Sequence, residues 1–457
     1  MYSENAWDKY TKEELEKVDA LATSYMDFIN NGKNERLVVK ESIKLLQEKG
    51  FKHISEVNEL VPGTKVYYVN RGKNVCAYVI GKHKLVEGIR VLGAHIDSPR
   101  LDLKQNPLYE KDGFALLDTH YYGGVKKYQW VTIPLALVGV VVKKDGTVVD
   151  INIGLDENDP IVGISDLLIH LSGEQLTKPA GKVIEGENLD VTIGSMSLKD
   201  KNVKDVVLEA LKEKYGIEEE DFLSSEIEVV PASKARFYGI DKSMIAGYGH
   251  DDRCCAYTSL RAILDINEVP SFTSCTILVD KEEIGSVGAT GAQSRFFLDT
   301  IVDLLVKTNE YTPTSLATLL SASKMLSSDV SAGYDPLFAS VYEQKNSCYL
   351  GKGIVFNKYT GSRGKSGCND CSPEYFAWIR NVMDENKVNY QTAELGKVDQ
   401  GGGGTIAYIL GNENMDVVDA GIAVLNMHAP MEVISKADLY EAYLAYKAFL
   451  VTCSHHL

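Results

Sequence analysis

Two side chains with metal-binding chemistry, His95 and Asp97, stand two residues apart in the segment GAHIDSPR. They follow an apolar run that predicts a strand, and side chains two positions apart on an extended chain point the same way. A carboxylate beside a histidine can fix the imidazole tautomer and raise its basicity as a ligand. A surface histidine beside a turn aspartate would give the same pair, so further ligands are needed to indicate a site.

Two adjacent acids, Asp251 and Asp252 in HDDR, open a predicted helix. Carboxylates at a helix N-terminus cap backbone N–H groups and interact favourably with the helix dipole. The same position suits a carboxylate that bridges two cations, because capping does not use all of its lone pairs. Both roles are compatible with the sequence.

A second acidic pair, Glu282 and Glu283 in DKEEIGS, follows an apolar strand-like run and precedes a glycine. One glutamate can ligate a metal while its neighbour acts as general base on metal-activated water. A solvated surface pair is the alternative. Asp329 in SSDV and His428 in NMHAP lie among small or apolar residues, where an ionisable group needs a core hydrogen bond or a metal.

Together these segments offer two histidines, two aspartates and a glutamate as ligands, with one further glutamate. Such a set suits two divalent metals about 3.5–4 Å apart that share a carboxylate and a water, as in aminopeptidases. Nitrogen and oxygen ligands without thiolate favour zinc, cobalt or manganese.

The elements around these residues alternate between helix and strand, which predicts an α/β fold. Helices are expected at 11–28, 35–49, 251–266, 315–326, 373–386 and 436–453. Strands are expected at 65–70, 75–80, 89–94, 274–279, 353–356 and 415–419. Short β-like runs and one helix, 203–215, interrupt the alternation. We therefore predict a catalytic domain of residues 1–102 and 234–457 with a largely parallel sheet flanked by helices, and a β-rich α+β insert at 103–233.

The 457-residue chain has a formal net charge of −16. Such a surface repels nucleic acid and anionic membranes and is compatible with a small-molecule or peptide substrate. The N-terminus lacks a basic segment followed by an apolar run. The longest apolar run, 131–142, is too short to span a bilayer. A cytoplasmic location is expected, with neither nucleic acid nor membrane as partner.

In order and spacing, these segments resemble the M18 metalloaminopeptidases, or aspartyl aminopeptidases, over nearly the whole chain. The matching segments are GAHIDSPRLDLK, YYGG with the downstream Trp130, DLLIHL, HDDR, DKEEIGS, SSDV, DQGGGGTI and NMHAPME. The resemblance implies that His95 and Asp329 bind one metal, that Glu283 and His428 bind the other, and that Asp251 bridges the two.

The resemblance also implies roles for residues that do not bind metal. Glu282 would be the general base that takes a proton from metal-activated water and gives it to the leaving amine, and Asp97 would support His95. His170 would reach a neighbouring subunit's active site and stabilise the tetrahedral intermediate. Better-known members have Asn where this chain has Asp252, which leaves open which of the two acids bridges.

The function implied is a dinuclear zinc aminopeptidase that removes N-terminal residues, with a preference for Asp or Glu. The insert would be a dimerisation domain, and the chains would assemble into a tetrahedral dodecamer. A pocket for acidic residues needs a cation, for which Arg363, Lys365 and Lys397 are candidates. A two-zinc aminopeptidase of neutral or broad specificity is one alternative, and a non-catalytic self-assembling shell protein is another. The glycine run 401–404 suits close backbone approach to a peptide.

Overall fold

The computed structural model describes residues 4–361 and 363–454. The α-helices are α1 (Lys12–Asn31), α2 (Glu35–Glu48), α3 (Ala180–Val183), α4 (Val203–Tyr215), α5 (His250–Leu264), α6 (Phe296–Lys307), α7 (Ser315–Ala322), α8 (Pro373–Glu385), α9 (Ala407–Gly411) and α10 (Lys436–Val451). The first strands are β1 (Lys52–His53), β2 (Lys65–Asn70), β3 (Asn74–Val79), β4 (Ile89–His95), β5 (Arg100–Lys111), β6 (Phe114–Tyr122), β7 (Leu135–Val142), β8 (Val148–Ile153), β9 (Val191–Gly194) and β10 (Ser225–Pro231). The later strands are β11 (Arg236–Tyr238), β12 (Met244–Gly247), β13 (Thr273–Val279), β14 (Lys324–Ser327), β15 (Ser331–Ala332), β16 (Ile354–Asn357), β17 (Tyr390–Thr392), β18 (Asp416–Gly421), β19 (Ala423–Leu425) and β20 (Glu432–Ser435).

The chain divides into two compact units. The first contains the residues up to Asp97, then Ala235–Met427, and the chain from Glu432 onward. The second contains Ser98–Lys234 together with the short segment His428–Met431. That the second unit mediates dimerisation stays a prediction.

The main sheet of the first unit has the strand order β1-β2-β3-β13-β4-β14-β18-β16-β17. Its neighbouring strands β13, β4, β14 and β18 run parallel. Antiparallel pairs flank them, β3 with β13 on one side and β16 with β18 on the other. The expected α/β fold is confirmed, and the sheet is parallel at the centre and mixed toward its edges.

Helix ends in the first unit follow local sequence signals. Thr11 and Glu14 form a capping box at the start of α1, and Ser372 caps α8 ahead of a proline at the first position. The helix α5 is buried on nearly all sides, and it packs against α10 and β4. The acids at its N-terminus are therefore held in the interior of the unit.

A further sheet of the first unit has the order β11-β12-β20-β19-β15. Two chain segments cross from the main sheet into it: β14 leads directly to β15, and β18 leads to β19. The segments run beside one another on both sides of the crossing, since β14 pairs with β18 and β15 pairs with β19. Asp329 lies in the first of these crossings.

The second unit is built on a sheet of order β8-β7-β10-β5-β6-β9, in which the paired strands are antiparallel. The turn between β7 and β8 is formed at Asp145 and Gly146: Gly146 has a φ of 87°, and the Thr147 N–H donates to Asp145 Oδ1 at 2.9 Å. The helix α4 spans the predicted residues 203–215 and ends at the left-handed Gly216.

Some elements differ from the sequence prediction. The helix expected to reach residue 326 ends at Ala322, where the Ser323 hydroxyl donates to the Leu319 carbonyl, and the chain continues as β14. Because β14 is buried on both faces, its residues show no polar alternation, and the pattern does not separate this short strand from the helix before it. The hairpin of β5 and β6 and the helix α6 were not predicted. In the described part of the chain, no helix combines the length and apolarity that a bilayer span requires.

Candidate metal and active site

The candidate site of the first unit forms where parallel strands end. His95 is the last residue of β4, and it pairs with Val279 at the end of β13. The turn Glu282–Ile284 follows β13, and Asp329 follows β14 on the other side of β4. Carboxyl ends of neighbouring parallel strands meet at one edge of a sheet, which brings these predicted residues together.

The imidazole of His95 is the centre of the cluster, and it is buried. Its Nδ1 faces the backbone oxygen of Asp97 at 3.1 Å and the Oδ1 of the same residue at 3.2 Å. Because both are acceptors, Nδ1 carries the proton. Its Nε2 lies 3.1 Å from Asp251 Oδ1, 3.8 Å from Glu282 Oε2 and 3.9 Å from Asp329 Oδ1.

This donor set fits a divalent cation. With Nδ1 protonated, the Nε2 of a neutral His95 is an acceptor that faces carboxylate oxygens, so a proton or a cation has to lie between them. Tetrahedral zinc with ligands at about 2.1 Å separates its ligand atoms by about 3.4 Å, close to the observed spacing. His95, Asp251 and Asp329 are all buried, and their ligand atoms lie within 4.8 Å of one another.

Several acidic side chains lie close together in this cluster, and they raise the pKa values of their neighbours. Burial lowers the pKa of His95, but hydrogen bonds with Asp251 and Asp97 and the charge of Glu282 outweigh it and place that pKa well above its usual value. Burial raises the pKa of Asp329 well above the usual range, and nearby acids add to the rise. Positive charge in the cluster therefore stabilises it.

Asp97 was predicted to support His95, and it also holds a second part of the site. Its Oδ1 accepts a hydrogen bond from the Glu282 N–H at 3.1 Å, and its Oδ2 accepts one from the Glu283 N–H at 3.1 Å. The turn that carries the glutamates is bounded by Lys281 and Gly285, with φ of 70° and 99°. A single carboxylate thus fixes both the His95 imidazole and the backbone of the glutamate pair.

The two acids of HDDR face different neighbours. Asp251 joins His95 and Asp329 in the cluster, and its N–H donates to Glu432 Oε2 at 3.0 Å. Asp252 Oδ2 accepts a hydrogen bond from the His95 N–H at 3.2 Å. Glu432, which is buried in β20, was not singled out from the sequence. Its contact with Asp251 depends on tertiary structure, and no local spacing signals it.

His250, the histidine of HDDR, belongs to the core. Tyr25 donates its hydroxyl hydrogen to His250 Nδ1 at 2.6 Å, and the Nε2–H donates to the Ile245 carbonyl at 3.2 Å. Burial is the main cause that lowers the pKa of His250 to about 3, which keeps the ring neutral. The two ring nitrogens hold the start of α5 against α1 and β12.

Replacing Tyr25 with Phe is expected to lower the free energy of unfolding by about 1–3 kcal/mol, because it leaves the buried His250 Nδ1 without its donor. Metal content should not change. Thermal or urea unfolding measures the loss. Tyr257→Phe is the matched control, since that hydroxyl donates to Ser24 in a less enclosed position. An equal effect of the two substitutions would contradict the special role of the Tyr25 contact.

Two further predicted site residues belong to the second unit. His428 has a left-handed φ of 68°, and its Nδ1–H donates to the Gly124 carbonyl at 2.9 Å. This contact selects the tautomer in which Nε2 carries the lone pair, the form that binds metals. His170 is exposed in the turn Ile169–Leu171, where its apolar neighbours Ile169 and Leu171 are also exposed.

The three candidate cations for substrate recognition line one cavity of about 140 Å³ in the first unit, which Gly401 and Gly402 also line. Lys365 already has partners there: its Nζ lies 3.0 Å from Asp370 Oδ2, and it also lies over the face of the Tyr359 ring. Arg363 and Lys397 are exposed.

A buried histidine and carboxylate cluster at the ends of parallel strands, with an adjacent glutamate, is the arrangement of a metal-dependent hydrolase. A family model described as Aminopeptidase I zinc metalloprotease (M18) matches residues 28–450. The chain therefore belongs to the M18 family of zinc aminopeptidases, and it is a hydrolase of the metalloprotease type.

Relatives and solved structures agree with this assignment. The chain is 57% identical over 454 residues to the "Probable M18 family aminopeptidase 1" of Clostridium acetobutylicum, covering 98% of this chain and 97% of that protein. The crystal structure of an M18-family aminopeptidase from Thermotoga maritima matches with a TM-score of 0.95 at 44% identity, covering 98% and 99% of the two chains. The S. cerevisiae mApe1 dodecamer shares the fold, with a TM-score of 0.75 at 20% identity over 95% and 97% of the chains.

Proposed function

We propose that this chain is a dinuclear aminopeptidase that hydrolyses the N-terminal residue of peptides with two divalent cations, zinc in the first place and cobalt or manganese as substitutes. His95 and Asp329 hold one cation, Glu283 and His428 hold the other, and Asp251 bridges them. The observation that carries the proposal is the position of His95 Nε2, which faces oxygens of Asp251, Glu282 and Asp329 at 3.1–3.9 Å.

The cations supply Lewis acidity toward the scissile carbonyl and toward water. Glu282 accepts the proton of the attacking water and returns it to the leaving amine. Its carboxylate lies beside the cluster, while its backbone N–H is held by Asp97, so the base keeps its position through both proton transfers. The inner part of this site is closed to bulk water, because His95 and Asp97 are at most 1% exposed.

The test is removal and return of metal. Dialysis against a chelator should abolish hydrolysis of an aminoacyl p-nitroanilide, and added Zn²⁺, Co²⁺ or Mn²⁺ should restore it. An N-acetylated form of the same substrate is the control, and it should resist hydrolysis by the metal-loaded enzyme. Full activity after metal removal, or equal cleavage of the acetylated substrate, would contradict the proposal.

We infer a preference for Asp or Glu at the first position from the cavity that Arg363, Lys365 and Lys397 line. Because Lys365 is already paired with Asp370, Arg363 and Lys397 are the better candidates to meet a substrate carboxylate. An enzyme of neutral or broad specificity is the alternative.

Replacing Arg363 or Lys397 with Gln is expected to lower kcat/KM for Asp- and Glu-p-nitroanilide roughly 10-fold while leaving Leu-p-nitroanilide unchanged, since only the acidic substrates lose an ion pair. Lys365→Gln is the matched control and should change the ratio less. Wild-type enzyme that cleaves the leucine substrate as fast as the acidic ones would favour the alternative.

We further propose that the chains self-associate into dimers and a tetrahedral dodecamer, and that His170 acts in a neighbouring subunit's active site. Two observations support the assembly: the apolar residues around His170 are exposed, and the fold is shared with the S. cerevisiae mApe1 dodecamer. Light scattering should give a mass about twelve times the 50.4 kDa chain.

His170→Ala is expected to lower kcat about 100- to 1,000-fold, as loss of an oxyanion donor does. If the residue acts between subunits, mixing dissociated and reassembled His170→Ala with Glu282→Gln chains should recover part of the activity, because some sites then receive one intact copy of each residue. Recovery should be absent when each variant is reassembled alone. No recovery from mixed assemblies that are shown to contain both chains would place His170 within its own subunit.

A further inference from the structure

Asp329 is held by backbone contacts from neighbouring strands where the chain crosses between the two sheets of the first unit. The Ser328 N–H donates to the Gly93 carbonyl at 2.6 Å, and the Ser331 N–H donates to the Ile422 carbonyl at 2.9 Å. The two bonds lie on either side of Asp329 in the chain. The residue is therefore anchored before and after its own position.

Between these anchors the backbone of Asp329 touches Gly421, the last residue of β18. A Cβ at position 421 would lie 1.7 Å from the Asp329 carbonyl oxygen and 2.4 Å from its carbonyl carbon. Side-chain atoms could move aside, but these are backbone atoms held by the two flanking hydrogen bonds. Any residue larger than glycine therefore has to displace Asp329 or β18.

The strand β18, which carries Gly421, is held in place by contacts with α10 and β16. The Tyr446 hydroxyl of α10 donates to the Ala420 carbonyl at 2.6 Å, and Tyr446 is fully buried. Gly421 also pairs with Val355 of β16. Because the Tyr446 hydrogen bond and the pairing with β16 hold β18 in place, a side chain at position 421 is expected to displace the crossing that carries Asp329.

We propose that Gly421 is a positioning residue for the cation site: its missing side chain lets β18 approach closely enough to set the carboxylate of Asp329 opposite His95. The inference rests on the proposed ligand role of Asp329. Tyr446 stabilises the same approach through its hydrogen bond to Ala420.

The test measures bound zinc per chain and zinc affinity by equilibrium dialysis, together with kcat and KM. Wild type should bind two zinc ions. Gly421→Ala should bind zinc at one of the two sites at least 10-fold more weakly, the size of effect expected when a ligand's supporting contacts are lost, and kcat should fall in parallel.

Gly81→Ala is the matched control. A Cβ there would lie 2.4 Å from the Phe272 carbonyl carbon, so the steric strain is of the same kind. Position 81 adjoins Thr273 at the start of β13, about 20 Å from the strand end where the site lies. This variant should lose thermal stability and keep both zinc ions at wild-type affinity.

Tyr446→Phe keeps the inference testable if Gly421→Ala does not fold, and it should weaken one zinc site several-fold. Wild-type zinc affinity at both sites in folded Gly421→Ala, or in Tyr446→Phe where the alanine variant does not fold, would overturn the positioning role. Asp329→Ala separates the two hypotheses. Loss of one zinc in that variant with no loss in Gly421→Ala refutes the positioning role alone, whereas two zinc ions in Asp329→Ala refute the ligand role on which it rests.

Discussion

Glu282→Gln is expected to lose nearly all turnover, with kcat reduced by about 10²–10⁴, while both cations stay bound. The amide has the shape of the carboxylate but does not accept the proton of the attacking water. Its backbone hydrogen bond to Asp97 is unaffected, so the turn and the neighbouring Glu283 stay in place. The measurements are kcat on an aminoacyl p-nitroanilide and metal content by plasma mass spectrometry.

Glu283→Gln is the matched control, because it changes the same pair of side chains by the same chemistry. It should lose one metal and with it the activity, whereas Glu282→Gln loses activity alone. Substantial hydrolysis by metal-loaded Glu282→Gln would show that Glu282 is not the general base. Loss of metal from Glu282→Gln would instead make Glu282 a ligand.

Asp251→Asn is expected to weaken both cation sites and to abolish hydrolysis, because Asp251 is the carboxylate that we propose to bridge the two cations, and its charge would offset theirs. Asp251 is placed for this role by its 3.1 Å contact with His95 Nε2 and by the Glu432 carboxylate that receives its N–H. Zinc titration of the metal-free protein by calorimetry measures the effect at each site.

Asp252→Asn is the natural control, since it makes the same substitution one residue along the chain. The amide oxygen can still accept the hydrogen bond from the His95 N–H, so both zinc ions should bind and much of the activity should remain. If Asp252→Asn lost both cations and Asp251→Asn kept them, the two acids would have to exchange roles.

Much of this site could be predicted from the sequence because its segments carry local signals. Apolar runs that end in a polar ligand predict strands that terminate at the site, as at His95 and at the Glu282–Glu283 pair. The starts of α1 and α8 also carry local signals, because their capping residues lie within a few positions of the first helical residue.

Other parts could not be predicted because their cause lies in distant residues. Asp97 was expected to support His95, but its hydrogen bonds to the glutamate turn depend on β4 and β13 lying side by side. The Glu432 carboxylate accepts a hydrogen bond from the distant Asp251, and Gly421 lies against the backbone of the distant Asp329. The boundary between α7 and β14 was misplaced because β14 is short and buried on both faces, so its residues show no alternation that would separate them from the preceding helix.

We propose that two cations are held by His95, Asp251, Glu283, Asp329 and His428. A crystal of zinc-loaded protein with an amino-acid product bound, measured at the zinc absorption edge, tests it most directly. Two anomalous peaks about 3.5–4 Å apart are expected, with Asp251 contacting both. A single peak, or peaks that Asp251 does not bridge, would contradict it.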